Sequence, residues 1–372
     1  MWKKQESCVN LMKNRNIPLA KPLIGSKEKR AVQRVLNSGN LAQGPVVAAF
    51  EKNFSRFVSD RDCVAVNSGT SGLVTAVMSL GIGQGDEVIV PSFTFAASAN
   101  SIALSGAKPV FIDINPRTFN IDFSLIESLV NPKTKAIMAV HLYGLCADMK
   151  QILEIAKKHN LFVIEDAAQA HLAAIDGQNS GTFGDVAVFS FYPTKNMTSG
   201  EGGMVVYKDP AKARIARLIR NQGMEKRYHN EIPGHNFRMS DIHAAIGVEQ
   251  LKKLENWTEK RQANADFLSG AIHEAETPLI PNGFRHVFHQ YTIRVKKFRD
   301  ELATRLSADG IGNATYYPVP VHQLPSFNLT QDLPETELAT QEALSLPVHP
   351  SLSRADLKKI ANAVNRHLKE MK

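Results

Sequence analysis

The residues that could do chemistry lie in four short stretches, far apart in the chain. Lys195 stands five residues after Ser190 in FSFYPTKNMTSGEGG, and a glycine cluster follows it. A lysine amine with a fixed aim and a lowered pKa forms a Schiff base with a carbonyl; taken alone, the same lysine reads equally as a solvated surface group. Asp166 closes the apolar run LFVIED. A carboxylate there is costly unless something pairs with it, so it either caps a helix or faces a cation such as a protonated ring nitrogen. Gln169 follows in EDAAQA and, by itself, reads as polar helix surface. NSGTSG places Gly69 and Thr70 between a strand and a helix, where backbone N–H groups bind phosphate well. It is neither GxxxxGK[ST] nor GxGxxG, and alone it is also an ordinary tight turn. Phe95 in PSFTFAA either stacks on a ring or fills a core, and Ser190 either binds an anion or caps a turn. Jointly these residues describe one ligand. A phosphate cradle, a ring stacker, an anion for a pyridinium and an amine for an aldehyde together suit pyridoxal 5′-phosphate.

Such a set needs elements that bring it to one place. CVAVNSGTSGLVTAVMSLG reads as strand, glycine turn and helix, and DEVIVPSFTFAASANSIALSG repeats that order. KPVFIDI, KAIMAVHLYG, LFVIEDAAQA, DVAVFSF and GMVVYK are short β-rich runs bounded by turn residues. Between them, DMKQILEIAKKHN puts Met149, Ile152, Leu153 and Ala156 on one helical face. Continuous apolar strands separated by helices argue for a mostly parallel sheet covered on both faces. Ligands of such sheets sit beyond the carboxyl ends of the strands, and all four stretches fall at strand ends. After about residue 250 the texture changes. DIHAAIGVEQLKKLENWTEKRQANADFLSGAI reads as one long helix, HQYTIRV as a strand, and RDELATRLSADGI and RADLKKIANAVNRHLKEM as amphipathic helices. The expected organisation is an extension over residues 1–16, a large domain over 17–250 and a smaller α+β domain over 251–372.

With 372 residues the chain is too long for one small core, which agrees with two domains. The formal net charge of +8 comes from scattered basic residues with no basic run interleaved with aromatics, so nucleic acid is not the expected partner. A mild excess of positive charge suits an anionic small substrate or cofactor. Cys8, Cys63 and Cys146 are too few and too scattered for a disulfide framework or a zinc site. A reducing, cytoplasmic setting follows as the expectation. Residues 1–16 lack the apolar core of a signal peptide, and no run of about 18 apolar residues offers a membrane span.

Seven ordered motifs carry a resemblance: SGNLAQGPVVAAFEKNF, NSGTSGL, PSFTFAASANSI, EDAAQAH, GTFGDVAVFSFYPTKNMTSGEGG, GHNFRMSDIHAAIGVEQLKKL and YYPVPVHQLP. From about Ile17 onward the chain resembles the DegT/DnrJ/EryC1/StrS family, nucleotide-sugar aminotransferases of the aspartate-aminotransferase fold (fold type I of pyridoxal phosphate enzymes). The resemblance implies that Lys195 carries the cofactor as a Schiff base, that Asp166 pairs with the pyridine nitrogen, and that Gln169 lies near the ring hydroxyl. It implies that Phe95 stacks on the ring and that Gly69, Thr70 and Ser190 hold the phosphate. It assigns Asn236 of GHNFR to the phosphate of a partner subunit's cofactor, hence a homodimer with shared sites. His322 of YPVPVH resembles the family's substrate-side histidine. The implied reaction moves an amino group from an amino acid, usually L-glutamate, to a keto-sugar linked to a nucleoside diphosphate. Some members have histidine in place of the lysine and catalyse dehydration; Lys195 argues against that. A different fold-type-I enzyme such as a lyase, or a cofactor-binding regulator without catalysis, are the other readings, and no separate DNA-binding segment supports the last.

Overall fold

The structure, a computed structural model, describes residues 16–372; of the extension expected over residues 1–16, all but the last residue lies outside the described part. A seven-stranded sheet forms the centre. Its strands are β1 (Asp62–Val66), β2 (Glu87–Pro91), β3 (Lys108–Ile112), β4 (Thr134–Val140), β5 (Phe162–Asp166), β6 (Val186–Ser190) and β7 (Gly203–Tyr207). They lie in the order β1-β7-β6-β5-β4-β2-β3. All pairings are parallel except those of β7, which runs antiparallel to both β1 and β6. The parallel sheet read from the sequence is therefore present, with one reversed strand inserted in it.

Helices cover both faces, which is why the strands are apolar throughout instead of alternating. Those that matter for the site are α1 (Ser26–Ser38), α2 (Pro45–Ser55), α3 (Gly69–Ser79), α4 (Ala97–Leu104), α5 (Met149–His159), α6 (Pro210–Arg220) and α7 (Asp241–Leu251). Successive strand residues point to opposite faces. On one face Val64, Val88, Val188 and Val205 pack against Leu73 and Ala76 of α3, Ile102 of α4 and Ala216 of α6. On the other, Ala65, Ala187, Phe189 and Val206 pack against Val47, Phe50 and Phe54 of α2. Met149, Ile152 and Ala156 of α5 are buried against Ile89, Ile137 and Val163, with Leu153 at the margin, as the helical spacing predicts. Each such apolar side chain contributes about 1.5–3 kcal/mol by leaving water. The Asp148 carboxylate caps the start of α5, and Asn160, left-handed at φ 52°, ends it.

The single long helix expected after residue 240 is two helices, α7 and α8 (Leu254–Ala271), broken at Lys252 and Lys253. The reason is that the two halves serve different cores. α7 packs beside α1 and α2, while Ala265 and Leu268 of α8 join a second apolar cluster. The break is fastened by the Lys253 ammonium, which pairs with the buried Glu28 carboxylate of α1. The second cluster is built from α8, the antiparallel pair β8 (Tyr291–Arg294) and β9 (Ala343–Leu346), α9 (Arg299–Ala308) and α10 (Arg354–Glu370). The expected division at residue 250 is crossed in both directions, as by Leu254 and Val287, which join the core around Phe50 and Phe54. Ile17 packs in the second cluster, and Val321 and Leu333 pack under the large sheet.

Candidate active site

The carboxyl ends of the parallel strands form one edge of the sheet, and the chemistry-bearing residues gather there. α3 starts directly after β1, with Ser68 as its cap: the Ser68 hydroxyl accepts the Ser71 N–H at 3.0 Å. The N–H groups of a first helical turn have no partner inside the helix. Gly69 brings that turn against β6, since a Cβ at residue 69 would fall 2.8 Å from the Ser190 Cβ. Gly203 does the same from below. It is the first residue of β7 and pairs with both Val66 and Ser190. A Cβ there would fall 2.6 Å from the Ser68 carbonyl oxygen. The glycine cluster after Lys195 thus lets the 67–70 turn close on the end of β6. Thr70 is exposed on the first turn of α3, beside Gly69.

Lys195 sits on the loop between β6 and β7. That loop is pinned at three points. The Lys195 N–H donates to the Tyr192 carbonyl at 3.0 Å, the Thr198 hydroxyl to the Phe191 carbonyl at 2.8 Å, and the Asn196 amide to the Val287 carbonyl at 3.0 Å. Burial pushes the Lys195 ammonium down from its ordinary value to about 8, against the opposing pull of the Asp166 carboxylate. Two buried imidazoles, His171 and His289, stand near the same amine, and burial holds both in the neutral form.

Asp166 ends β5 and is buried. The Ser98 hydroxyl donates to its Oδ2 at 2.7 Å, and the Ala168 N–H donates to its Oδ1 at 3.2 Å. Burial raises the Asp166 carboxyl above its ordinary value, and the Ser98 hydrogen bond is the largest influence opposing that rise. The carboxylate therefore ties down a turn and not the helix start that the sequence allowed, and the Lys195 charge acts on it. Gln169 is buried, not surface. Its Oε1 accepts the Tyr143 N–H at 2.7 Å, and its Nε2 donates to the Tyr317 hydroxyl at 3.1 Å. Tyr317 in turn lies 6.1 Å, ring to ring, from Phe95. Phe95 is 60 % exposed, so it is not core and presents a free ring face.

Asn236 has an exposed side chain, and its backbone carbonyl accepts from the Asn67 amide at 3.4 Å. The residue thus stands at the rim of its own chain's 67–70 turn. His322 departs from the expectation. Its ring is wholly buried, with Nδ1 against the Ser92 hydroxyl at 2.7 Å and the ring packed near Phe111. With no exposed atom it forms part of the floor under β2, and substrate contact is not assigned to it. Sequence reasoning missed Ser98, Tyr143 and Tyr317. Ser98 and Tyr317 lie inside motifs already singled out, but a serine or tyrosine there carries no pattern that says which carboxylate or amide it meets.

The donor set fits pyridoxal 5′-phosphate. A cradle between Gly69 and Ser190 too tight for a Cβ suits a phosphate, a buried carboxylate with acceptor capacity left suits a ring nitrogen, and an exposed phenyl suits a ring face. Among the described residues no three His, Cys, Asp or Glu side chains are grouped to hold a metal ion, and no helix is long and apolar enough to cross a membrane. The described cysteines, Cys63 and Cys146, are buried free thiols.

Comparison with known proteins finds relatives over nearly the whole chain. It is 43% identical over 333 residues to a pleiotropic regulatory protein of Geobacillus stearothermophilus, covering 87% of this chain and 89% of that one. It is 39% identical over 365 residues to GDP-perosamine synthase of Caulobacter vibrioides, covering 95% and 98%. The X-ray structure of DesV from S. venezuelae in complex with a ketimine intermediate superposes with a TM-score of 0.91 at 36% identity, covering 95% and 99%. The sheet order and the helices on both faces are those of the fold-type-I pyridoxal phosphate enzymes. With residues 22–365 matching its family model, this chain belongs to the DegT/DnrJ/EryC1/StrS aminotransferase family.

Proposed function

We propose that this aminotransferase moves an amino group from an amino acid, L-glutamate in the first instance, to the ketone of a sugar linked to a nucleoside diphosphate. Pyridoxal 5′-phosphate is its cofactor. The observation that carries the reading is a Lys195 amine that burial brings down to about 8, within electrostatic reach of the buried Asp166 carboxylate, on the loop that follows Ser190, against which Gly69 is packed. GDP-perosamine synthase as a relative supports the nucleotide-sugar acceptor. The net positive charge favours anionic ligands, which both a phosphate cofactor and a diphosphate sugar are.

When bound, the cofactor supplies an electron-withdrawing pyridinium that takes up the electron pair left at the substrate carbon. The chain supplies the rest. Gly69, Thr70 and Ser190 take the phosphate through backbone N–H and hydroxyl groups. Asp166 keeps a positive charge favourable at the ring nitrogen, Phe95 covers one ring face, and Gln169 holds Tyr317 beside it. Lys195 would hold the cofactor through its amine and, once free and neutral, would take the proton from the donor α-carbon; in the second half of the reaction the same amine would deliver a proton to the sugar carbon that receives the amino group. Residues 17–250 carry these groups except Tyr317, and most of 251–372 forms the smaller domain, with exchanges such as Ile17, Leu254, Val287, Val321 and Leu333. A cytoplasmic setting suits the free thiols of Cys63 and Cys146.

A panel of nucleoside-diphosphate keto-sugars with L-glutamate, read by mass, tests the function. The expected product is heavier than its ketone by about one mass unit, the change from C=O to CH–NH₂, with 2-oxoglutarate formed in equal amount. The Geobacillus relative's name supports one other reading, a regulator that binds the cofactor without turnover. No product from any sugar, with cofactor bound, would favour it.

The homodimer is tested through Asn236. If its side chain reaches the phosphate of a partner's cofactor, Lys195→Ala and Asn236→Asp subunits are each poor alone, the second because a carboxylate repels phosphate. In a mixed dimer one site carries both defects and the other neither, so activity returns toward about half of the wild-type value per mixed dimer. Mixed dimers that form and recover nothing would return Asn236 to its own chain, beside Asn67.

A further inference from the structure

Resting on the reading of Asp166 as the ring-nitrogen partner, we propose that Ser98 is a positioning residue for that carboxylate, with Thr94 fixing the direction of its hydroxyl. Two observations carry this. The Ser98 Oγ lies 2.7 Å from Asp166 Oδ2 and is itself fully buried, so its single proton has a fixed destination. The Thr94 Oγ1 lies 3.0 Å from the Ser98 Oγ, also in the interior. Since the Ser98 proton is committed to the carboxylate, the Thr94 hydroxyl is the donor in that contact. The chain of bonds therefore runs one way, from Thr94 to Ser98 to Asp166.

Thr94 and Ser98 also bracket Phe95, and the Ser98 N–H closes the turn by donating to the Phe95 carbonyl at 3.1 Å. One turn after β2 thus sets both the phenyl that presents its face to the cleft and the donor that orients the carboxylate. With Ser98 on Oδ2 and the Ala168 N–H on Oδ1, the plane of the carboxylate is defined from two sides, while each oxygen keeps a lone pair for a further partner.

The effect on charge is as direct as the effect on orientation. Burial favours the neutral acid at Asp166. The titratable groups around it are Lys195, Tyr317 and His141, the last paired on its far side with the buried Glu165 at 2.9 Å. Of the groups acting on the carboxyl, the Ser98 hydroxyl opposes burial most strongly. Without that donor the carboxyl takes a proton more readily, and a neutral acid cannot hold a proton on a ring nitrogen.

The test uses the full chain loaded with pyridoxal 5′-phosphate labelled with ¹⁵N in the ring. The nitrogen chemical shift is followed against pH, which reads ring protonation without turnover. In Ser98→Ala the midpoint of deprotonation is expected to fall by about one pH unit or more, a tenfold loss of proton affinity. Ser98→Cys, close in size but a weak donor, should fall between Ser98→Ala and wild type; it decides the matter if Ser98→Ala does not hold the cofactor. Asp166→Asn is the reference and should strip the ring proton. Wild-type midpoints for the Ser98 variants, with Asp166→Asn shifted, overturn this inference and leave the role of Asp166 standing. An unshifted nitrogen in Asp166→Asn removes Asp166 from the ring, and the Ser98 proposal with it.

Discussion

Lys195→Ala is expected to lose the visible absorbance of lysine-bound cofactor and to lower turnover by roughly 10⁴-fold or more. A general base alone is worth about 10²–10⁴, and this residue is proposed to supply covalent attachment as well. The structure says why an ordinary surface lysine would not do. An amine at the usual lysine value is well under one part in a hundred neutral at pH 8, by the reference pKa of about 10.4. Burial brings Lys195 to about 8, so near that pH about half of it is free base. Its reaction with pyridoxal phosphate should therefore speed up as pH rises toward about 8 and then level off. The sign follows from the direction of the shift: the depressed value means the neutral form gains population at lower pH, not higher. Stopped-flow absorbance of cofactor-free protein mixed with pyridoxal phosphate reads this directly. Transamination at near wild-type rate in Lys195→Ala, or uptake that climbs without levelling to pH 10, would remove Lys195 from the role.

Much of this site is legible in the sequence because its parts lie at strand ends, and strand ends are marked by the change from apolar runs to Gly, Ser, Asp and Asn. Gly69, Asp166, Ser190 and Lys195 all stand at such changes. What the sequence cannot mark is direction. GMVVY is buried on both faces, so nothing in its pattern tells a reversed strand from a parallel one, and β7 is reversed. Nor does helical periodicity register the break at Lys252 and Lys253, because Leu251 and Leu254 stay apolar and buried on either side of it. The burial of Gln169 and His322 is illegible for a related reason. A polar side chain looks solvent-facing in a one-dimensional reading, but Gln169 is buried between Tyr143 and Tyr317, and His322 is buried on Ser92. Their partners lie 26, 148 and 230 residues away, beyond the reach of any local pattern.

Asp166→Asn should slow proton transfer by about 10²-fold or more while leaving the fold intact, the scale on which one lost electrostatic stabiliser acts. The asparagine is nearly the same size, and its side-chain oxygen can keep either the Ser98 donor or the Ala168 N–H. What it cannot do is carry the negative charge. The ring nitrogen then has no reason to stay protonated, and the electron pair left by proton removal has a poorer acceptor. A second signature belongs to the charge alone. In the wild type the Asp166 carboxylate pulls the Lys195 value upward, against burial. Removing that pull lets the Lys195 value fall below about 8, so the pH at which cofactor uptake levels off should move down in Asp166→Asn. The two readouts separate function from scaffolding. A carboxylate that only tied down the turn at Ala168 would still lend Lys195 its charge, so the pH shift reports the charge beside the amine, and the loss of turnover with cofactor still bound reports the role at the ring. An Asp166→Asn protein with full cofactor, unchanged turnover and an unchanged uptake profile would leave Asp166 as a turn anchor and nothing more.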